Sequence, residues 1–95
     1  MTEISKLFTA LERDFRVKIP NSAKAAAENG KAPFAVTFKL FGYDFRIKYE
    51  PPRAAGVIGA FMTINIVNGC LIGIFSHAES ILKRLEKYHP QYEEV

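Results

Sequence analysis

The sequence has few of the residues that build reactive or metal-binding sites. Its 95 residues include a single cysteine, Cys70, and two histidines. A lone cysteine excludes an internal disulfide, so we expect a protein of a reducing compartment. His77 and His89 stand at opposite ends of one predicted helix and therefore cannot share a metal ion. Structural zinc and disulfide scaffolds are both excluded.

Catalytic motifs are also lacking. The chain contains neither a phosphate-binding P-loop nor the glycine fingerprint of dinucleotide-binding folds. The carboxylates Asp14, Asp44 and Glu50 are each interleaved with basic residues, which is typical of a solvated surface. We therefore expect a protein that is not an enzyme and that has no catalytic residue, cofactor site or metal site.

The first residues do not form a secretory signal. MTEISKLF has no basic region ahead of an apolar segment. Together with the single cysteine, this start predicts a cytoplasmic protein. Residues 1–95 are expected to form one domain, since the chain is short and 48% of it is hydrophobic.

Charge of either sign is absent from residues 54–75, which read AAGVIGAFMTINIVNGCLIGIF. A run of this length can span a bilayer as a helix. It can also form a β-hairpin, 61–67 and 70–75, closed by Asn68-Gly69, because Asn-Gly between apolar runs favours a two-residue turn. Asn65 and Asn68 would be costly at the centre of a bilayer, and the Ile and Val content suits strands. We predict the hairpin and expect no membrane partner; the spanning helix remains the alternative.

A two-residue turn fixes the register of this hairpin. Val67 then pairs with Cys70, and Ile66 with Leu71. One face is predicted to carry Met62, Ile64, Ile66, Leu71 and Phe75. The opposite face is predicted to carry Phe61, Thr63, Asn65, Val67, Cys70, Ile72 and Ile74. Since neither face is plainly polar, we expect both faces to be at least partly covered, by the chain's own helices or by another chain.

Three helices are predicted from periodicity and capping residues. The first covers 3–15 with Thr2 as its cap, and the second is a short alanine-rich helix over 23–29, capped by Asn21 or Ser22 and ended by Gly30. The third begins at a capping box in which Ser76 and Glu79 bond each other's backbone, and it continues to about residue 88. A loop over 53–56 and an acidic tail over 91–95 complete the chain.

A first hairpin, 34–40 and 43–49, is predicted around a turn at Phe41-Gly42. This register pairs apolar with apolar residues on one face and Lys39 with Asp44 on the other. The turn forces Phe41 into an unusual backbone conformation, so a longer loop with Gly42 in the left-handed region is the alternative.

These elements predict an α+β fold. The expected architecture is a four-stranded antiparallel β-meander with the N-terminal and C-terminal helices packed on one face, plus the short alanine-rich helix.

A basic face on the first hairpin is the candidate site for a partner or for nucleic acid. Lys39, Arg46 and Lys48 point the same way along the predicted strands, and Arg53 lies just beyond. The net charge of +3 and the isoelectric point near 9.1 permit a nucleic-acid or acidic-protein partner. Phosphate contacts by such cations could bind nucleic acid.

The hairpin-plus-helix build, the uncharged run over 54–75 and the basic face at Lys39, Arg46 and Lys48 resemble the small inhibitors of host defence made by phages and mobile elements, including anti-CRISPR proteins. The resemblance implies stoichiometric blocking of a ribonucleoprotein or nuclease. Because the charge is positive, it further implies contact with guide RNA or an acidic protein groove.

Three functions follow as hypotheses. The first is a non-enzymatic binding or inhibitor module that blocks a larger protein or ribonucleoprotein complex, such as an anti-CRISPR-type inhibitor contacting effector subunits and guide RNA. The second is a small nucleic-acid-binding protein that uses Lys39, Arg46, Lys48 and Arg53. The third is a self-associating structural protein, a homodimer formed through the face with Phe61, Ile72 and Ile74.

Overall fold

The computed structural model describes residues 2–53 and 59–90. It contains a four-stranded antiparallel sheet with its strands in sequence order and with helices on one face. The described helices are α1 (Glu3–Phe15), α2 (Asn21–Asn29) and α3 (Ala78–Glu86). The strands are β1 (Phe34–Leu40), β2 (Tyr43–Glu50), β3 (Phe61–Ile66) and β4 (Leu71–Phe75). The predicted α+β meander is confirmed.

Alternation along the strands places the core on the helix side of the sheet. In β1, Val36, Phe38 and Leu40 are buried while the residues between them are exposed, and β2 repeats the pattern. The helices supply the other wall of the core with the fully buried side chains Ile4, Leu7, Leu11, Ile81 and Leu85. This burial supplies the main driving force for folding.

The first hairpin has the predicted register. Phe38 pairs with Phe45 in the core, and Lys39 pairs with Asp44 on the opposite face. Phe41 and Gly42 form the two-residue turn with φ values of 54° and 85°, the positive signs that a type I′ turn requires. The Phe41 ring packs against Phe15, with centroids 5.8 Å apart, so tertiary contact holds a conformation that a phenylalanine rarely adopts.

The second hairpin forms, but its loop is one residue longer than predicted. Ile66 N donates to Cys70 O at 3.0 Å, which contradicts the predicted Val67–Cys70 pair. Asn68 alone in this loop has positive φ, and Gly69 N donates to Ile66 O at 2.8 Å. Gly69 does not have positive φ. A Cβ at this position would lie 3.1 Å from Ile66 Cγ2, which is tighter than ordinary van der Waals contact, so crowding favours glycine here.

A β-bulge absorbs the extra loop residue. Ile64 pairs with Gly73 as predicted, but Asn65 pairs with Leu71, so Ile72 has no partner in the ladder. The predicted pairing of Ile66 with Leu71 is therefore wrong. The predicted faces of Leu71 and Ile72 are also exchanged, because Leu71 shares a face with Asn65 and Ile72 does not. Leu71 is 59% exposed, while Ile72 is partly buried against the core.

The ends of α2 and α3 differ from the predictions. Pro20 occupies the cap position of α2, so neither Asn21 nor Ser22 caps it, although Gly30 ends this helix as predicted. His77 precedes α3 and makes no capping bond, so the capping box of Ser76 and Glu79 is wrong.

Thr2, which caps α1, and Glu3, the first residue of α1, connect the three helices. Thr2 Oγ1 accepts a bond from Ser5 N at 3.1 Å, as predicted for a cap, and also donates to Ala27 O of α2 at 2.8 Å. Glu3 Oε1 accepts from Ala78 N of α3 at 2.9 Å. That backbone bond, with help from Lys6, lowers the pKa of Glu3 below its ordinary value. A carboxylate from α1 thus caps α3.

The sheet and α2 are joined by a buried hydrogen bond. Tyr49 Oη in β2 donates to Gly30 O at 2.9 Å, and burial raises the pKa of the Tyr49 phenol. Gly30 is itself left-handed, with φ of 66°, which suits a helix end.

Residues 61–66 and 71–75 form strands, so they are not a spanning helix. Within the described parts of the chain, no helix is long and apolar enough to cross a bilayer. The predicted loop over 53–56 lies outside the described residues except for Arg53, and the predicted tail over 91–95 lies outside them entirely.

Replacement of Gly42 tests the strained turn. Gly42→Ala should lower the free energy of unfolding by about 1 kcal/mol, because an L residue is disfavoured at positive φ. Steric contact cannot contribute, since no atom lies within 4 Å of the added Cβ. Gly42→Asn is the matched control, because asparagine tolerates the left-handed region better than alanine does. Equal effects of the two variants in denaturant unfolding would contradict this account of the turn.

Removal of the Glu3 carboxylate tests the cap on α3. Glu3→Ala should cost about 1 kcal/mol at neutral pH, the usual loss for a helix cap. Because folding lowers the pKa of Glu3, its contribution is present above the unfolded-state value of 4.5 and is lost as the pH falls through the lower folded-state value. Thermal unfolding of wild type and variant should therefore converge at acid pH.

Glu86→Gln serves as the control for this pH series, since Glu86 is exposed and forms no ion pair among the described residues. A pH-independent gap between wild type and Glu3→Ala would refute the capping role.

Candidate functional site

The face of the sheet away from the helices, here called the open face, has no helix or strand over it in the described part of the chain. Its central residues are Thr37, Lys39, Asp44, Arg46, Lys48, Thr63, Asn65, Leu71 and Ile74. The described helices cover the other face, as predicted for the two long helices, so they do not supply the expected cover of the open face. Cover by another chain stays a prediction.

Strand pairing organises the open face into two rows that cross the sheet. In one row Lys48 of β2 pairs with Thr63 of β3, which pairs with Ile74 of β4. In the other row the corresponding residues are Arg46, Asn65 and Leu71. Each row therefore begins with a cation, passes a short polar side chain and ends with an aliphatic side chain.

Three of the four predicted site residues lie on the open face, and they differ in how they are paired. Arg46 and Lys48 are exposed and have no ion pair among the described residues. Lys39 Nζ lies 3.5 Å from Asp44 Oδ1, in a pair that is exposed on both sides. The structure thus leaves the unneutralised charge at two adjacent positions of the central strand β2.

The fourth predicted residue, Arg53, lies beyond the end of β2. Its Nη2 donates to Glu50 Oε1 at 3.2 Å. Exposed pairs of this kind contribute about 0–1 kcal/mol, so they neutralise charge more than they stabilise the fold. Asp44 and Glu50 stand at the two ends of β2 and bracket the cations, which confines the positive charge to the middle of the strand.

Sequence reasoning placed Ile74 on the face of Thr63 and Asn65, as found, but assigned Leu71 to the opposite face. Leu71 and Ile74 are 59% and 64% exposed. Perfect alternation assigns them to opposite faces, and the bulge at Ile72 brings them to the same one. Ile72 itself packs against the core, so it does not belong to the predicted dimer face, whereas Phe61 and Ile74 both lie on the open face.

The middle of the open face is lower than its sides. Thr63 and Asn65 of β3 are short and half-buried, whereas longer side chains stand on β2 and β4. Two strand spacings separate the cations from the aliphatic residues, a distance of about 10 Å. The open face is therefore a shallow trough with one basic wall and one apolar wall.

A cleft of about 450 Å³ at the N-terminal end of α1 is the competing candidate. Its titratable lining groups include Glu3 and Tyr49. Both are already bonded within the fold, Glu3 to Ala78 N and Tyr49 to Gly30 O. These bonds give the cleft's polar groups a structural role, so the open face is the better candidate. No group of three histidine, cysteine or acidic residues in 2–53 and 59–90 could hold a metal ion.

Alanine substitution distinguishes the exposed Leu71 from a core leucine. Leu71→Ala should change the free energy of unfolding by no more than about 0.5 kcal/mol, as surface substitutions do. Leu85→Ala, the same chemical change at a fully buried position, should cost about 2–5 kcal/mol. Urea denaturation measures both. A loss of unfolding free energy above about 2 kcal/mol for Leu71→Ala would mean that Leu71 is buried, and it would favour the register without the bulge.

Comparison with known proteins adds no relative to this description. No protein-family model matches the chain, and neither the curated proteins nor the solved structures give a match.

Proposed function

We propose that the protein is a non-enzymatic binding module that uses the open face to occlude a surface of a larger protein or ribonucleoprotein complex. The observation that carries this proposal is the placement of Arg46 and Lys48, which form no ion pair with another described residue, beside two exposed aliphatic residues on a sheet face that no described helix or strand covers. Contiguous exposed apolar side chains mark interaction sites, and arginine is enriched in interfaces.

The resemblance to phage and mobile-element inhibitors supplies a candidate role for this module. Such an inhibitor acts stoichiometrically by covering a functional surface, and needs no reactive group of its own. Arg46 and Lys48 would then contact an acidic groove of an effector subunit or its guide RNA. The basic open face supports this role, as does the small α+β build.

Direct nucleic-acid binding is the second candidate, and the unpaired charges of Arg46 and Lys48 favour it. Lys39 and Arg53 would add phosphate contacts once freed from their exposed ion pairs. Such binding would weaken steeply with added salt, because each phosphate contact releases a counterion.

Affinity purification with charge-reversed protein tests the proposal. Tagged wild type, Arg46→Glu/Lys48→Glu and Lys18→Glu/Lys31→Glu are purified from the cells that make the protein, with and without nuclease. Recovery of the partner should fall at least about tenfold for the first double variant, because an unpaired like charge at an interface costs several kcal/mol. Quantitative mass spectrometry measures the recovery.

The second double variant is the matched control. Lys18 and Lys31 are exposed residues off the sheet, and their reversal changes the net charge by the same amount, from +3 to −1. Equal loss in both variants would mean a bulk charge effect and would reject the open face. Recovery that nuclease abolishes would favour the second candidate.

A further inference from the structure

We propose that the open face binds an acidic amphipathic α-helix of a protein partner, with its axis along β3. Its carboxylates would face Arg46 and Lys48, and its apolar side chains would pack on Leu71 and Ile74. This inference rests on the proposed function and specifies the chemistry of the partner.

The width of the trough fits a helix. The basic and apolar walls are about 10 Å apart, and a helix with its side chains is about 10–12 Å across. Thr63 and Asn65 at the floor are short enough to let a helix approach the sheet. On the surface of such a helix that faces the sheet, one side would contact the basic wall and the other side would contact the apolar wall.

The spacing along the trough also fits a helix. Arg46 and Lys48 are two residues apart on one strand, so their Cα atoms are separated by about 7 Å. Leu71 and Ile74 have the same separation, because they pair with Asn65 and Thr63, which are two apart on β3. Side chains one helical turn apart have Cβ atoms about 5–6 Å apart. Two carboxylates and two apolar residues, each pair one turn apart, would therefore meet the four side chains.

The charge pattern selects an acidic partner of limited extent. Arg46 and Lys48 need anionic partners. Lys39 and Arg53 on either side of them are already paired with Asp44 and Glu50, so these two pairs offer no net positive charge to a continuous anionic track such as a nucleic-acid backbone. Nucleic-acid bases stack on aromatic rings. The apolar wall instead offers the aliphatic Leu71 and Ile74. Phe61, the aromatic residue on this face of β3, is half-buried and pairs with Glu50, whose carboxylate disfavours a nucleic acid beside the ring, so the face favours a protein ligand.

The same features disfavour two other occupants. A second copy of the chain would bring Arg46 and Lys48 towards like charges, since Asp44 and Glu50 are already paired with Lys39 and Arg53. Strand addition at the edge of β4 is hindered by the bulge and by Arg84, whose Nη1 donates to Ile72 O at 3.1 Å. The face of the sheet is more accessible than its edge.

The test uses a phage library that displays a stable helix of about 18 residues with all its surface positions randomised. Wild-type protein is the immobilised target, and a single-stranded RNA oligonucleotide is offered in parallel. We expect enriched helices to carry two acidic residues one turn apart beside two apolar residues one turn apart. Their affinity should fall at least tenfold for Arg46→Glu/Lys48→Glu.

A second variant isolates the apolar wall. Leu71→Thr/Ile74→Thr has β-branched residues, which suit a strand, at both positions, and it should also weaken the selected helices about tenfold. Thermal unfolding checks that both variants fold. Lys18→Glu/Lys31→Glu should bind the helices like the wild type.

Three results would overturn the inference. One is that no helix is enriched, and another is that the enriched helices lack the acidic pair or keep their affinity for one of the two wall variants. The third is tight RNA binding that the threonine variant leaves unchanged. If the partner from the affinity purification still depends on Arg46 and Lys48 in any of these cases, the proposed function stands and only the helical ligand fails. If that dependence is also absent, the proposed function fails with it.

Discussion

The arrangement of the three helices depends on two hydrogen bonds made by consecutive residues at the start of α1. Thr2 donates to a carbonyl near the end of α2, and Glu3 accepts from the first amide of α3. Both groups would otherwise lack partners, because helix ends leave backbone donors and acceptors unsatisfied. Satisfying the ends of α2 and α3 from α1 holds the helices in one layer on the core face of the sheet.

A single helix layer accounts for the composition of the open face. Alternate residues of β1 and β2 are buried against that helix layer. The residues between them face solvent, where charged side chains are tolerated. Asp44 and Glu50 neutralise the outer cations, and within residues 2–53 and 59–90 no carboxylate pairs with Arg46 or Lys48 at the centre. The charge available for recognition is therefore local, although the chain as a whole is only mildly basic.

The accuracy of prediction from sequence depended on whether local or distant groups decide the structure. The register of the first hairpin could be predicted because apolar and charged pairs agree on it, down to Lys39 and Asp44. The cap of α3 could not, because Glu3 lies 75 residues away from the amide that it accepts from, and the local signal at Ser76 and Glu79 pointed elsewhere. Three of the four predicted site residues lie on the open face.

The bulge in β4 decides which aliphatic residue completes the open face. With strict alternation Asn65 would pair with Ile72, which would project outward beside Ile74, and Leu71 would point into the core. The extra residue turns Leu71 outward beside Ile74 and returns Ile72 to the core. Bulges commonly redirect a side chain at functional sites. The apolar wall therefore consists of Leu71 and Ile74, rather than Ile72 and Ile74, because the loop at Asn68 is one residue longer than Asn-Gly predicts.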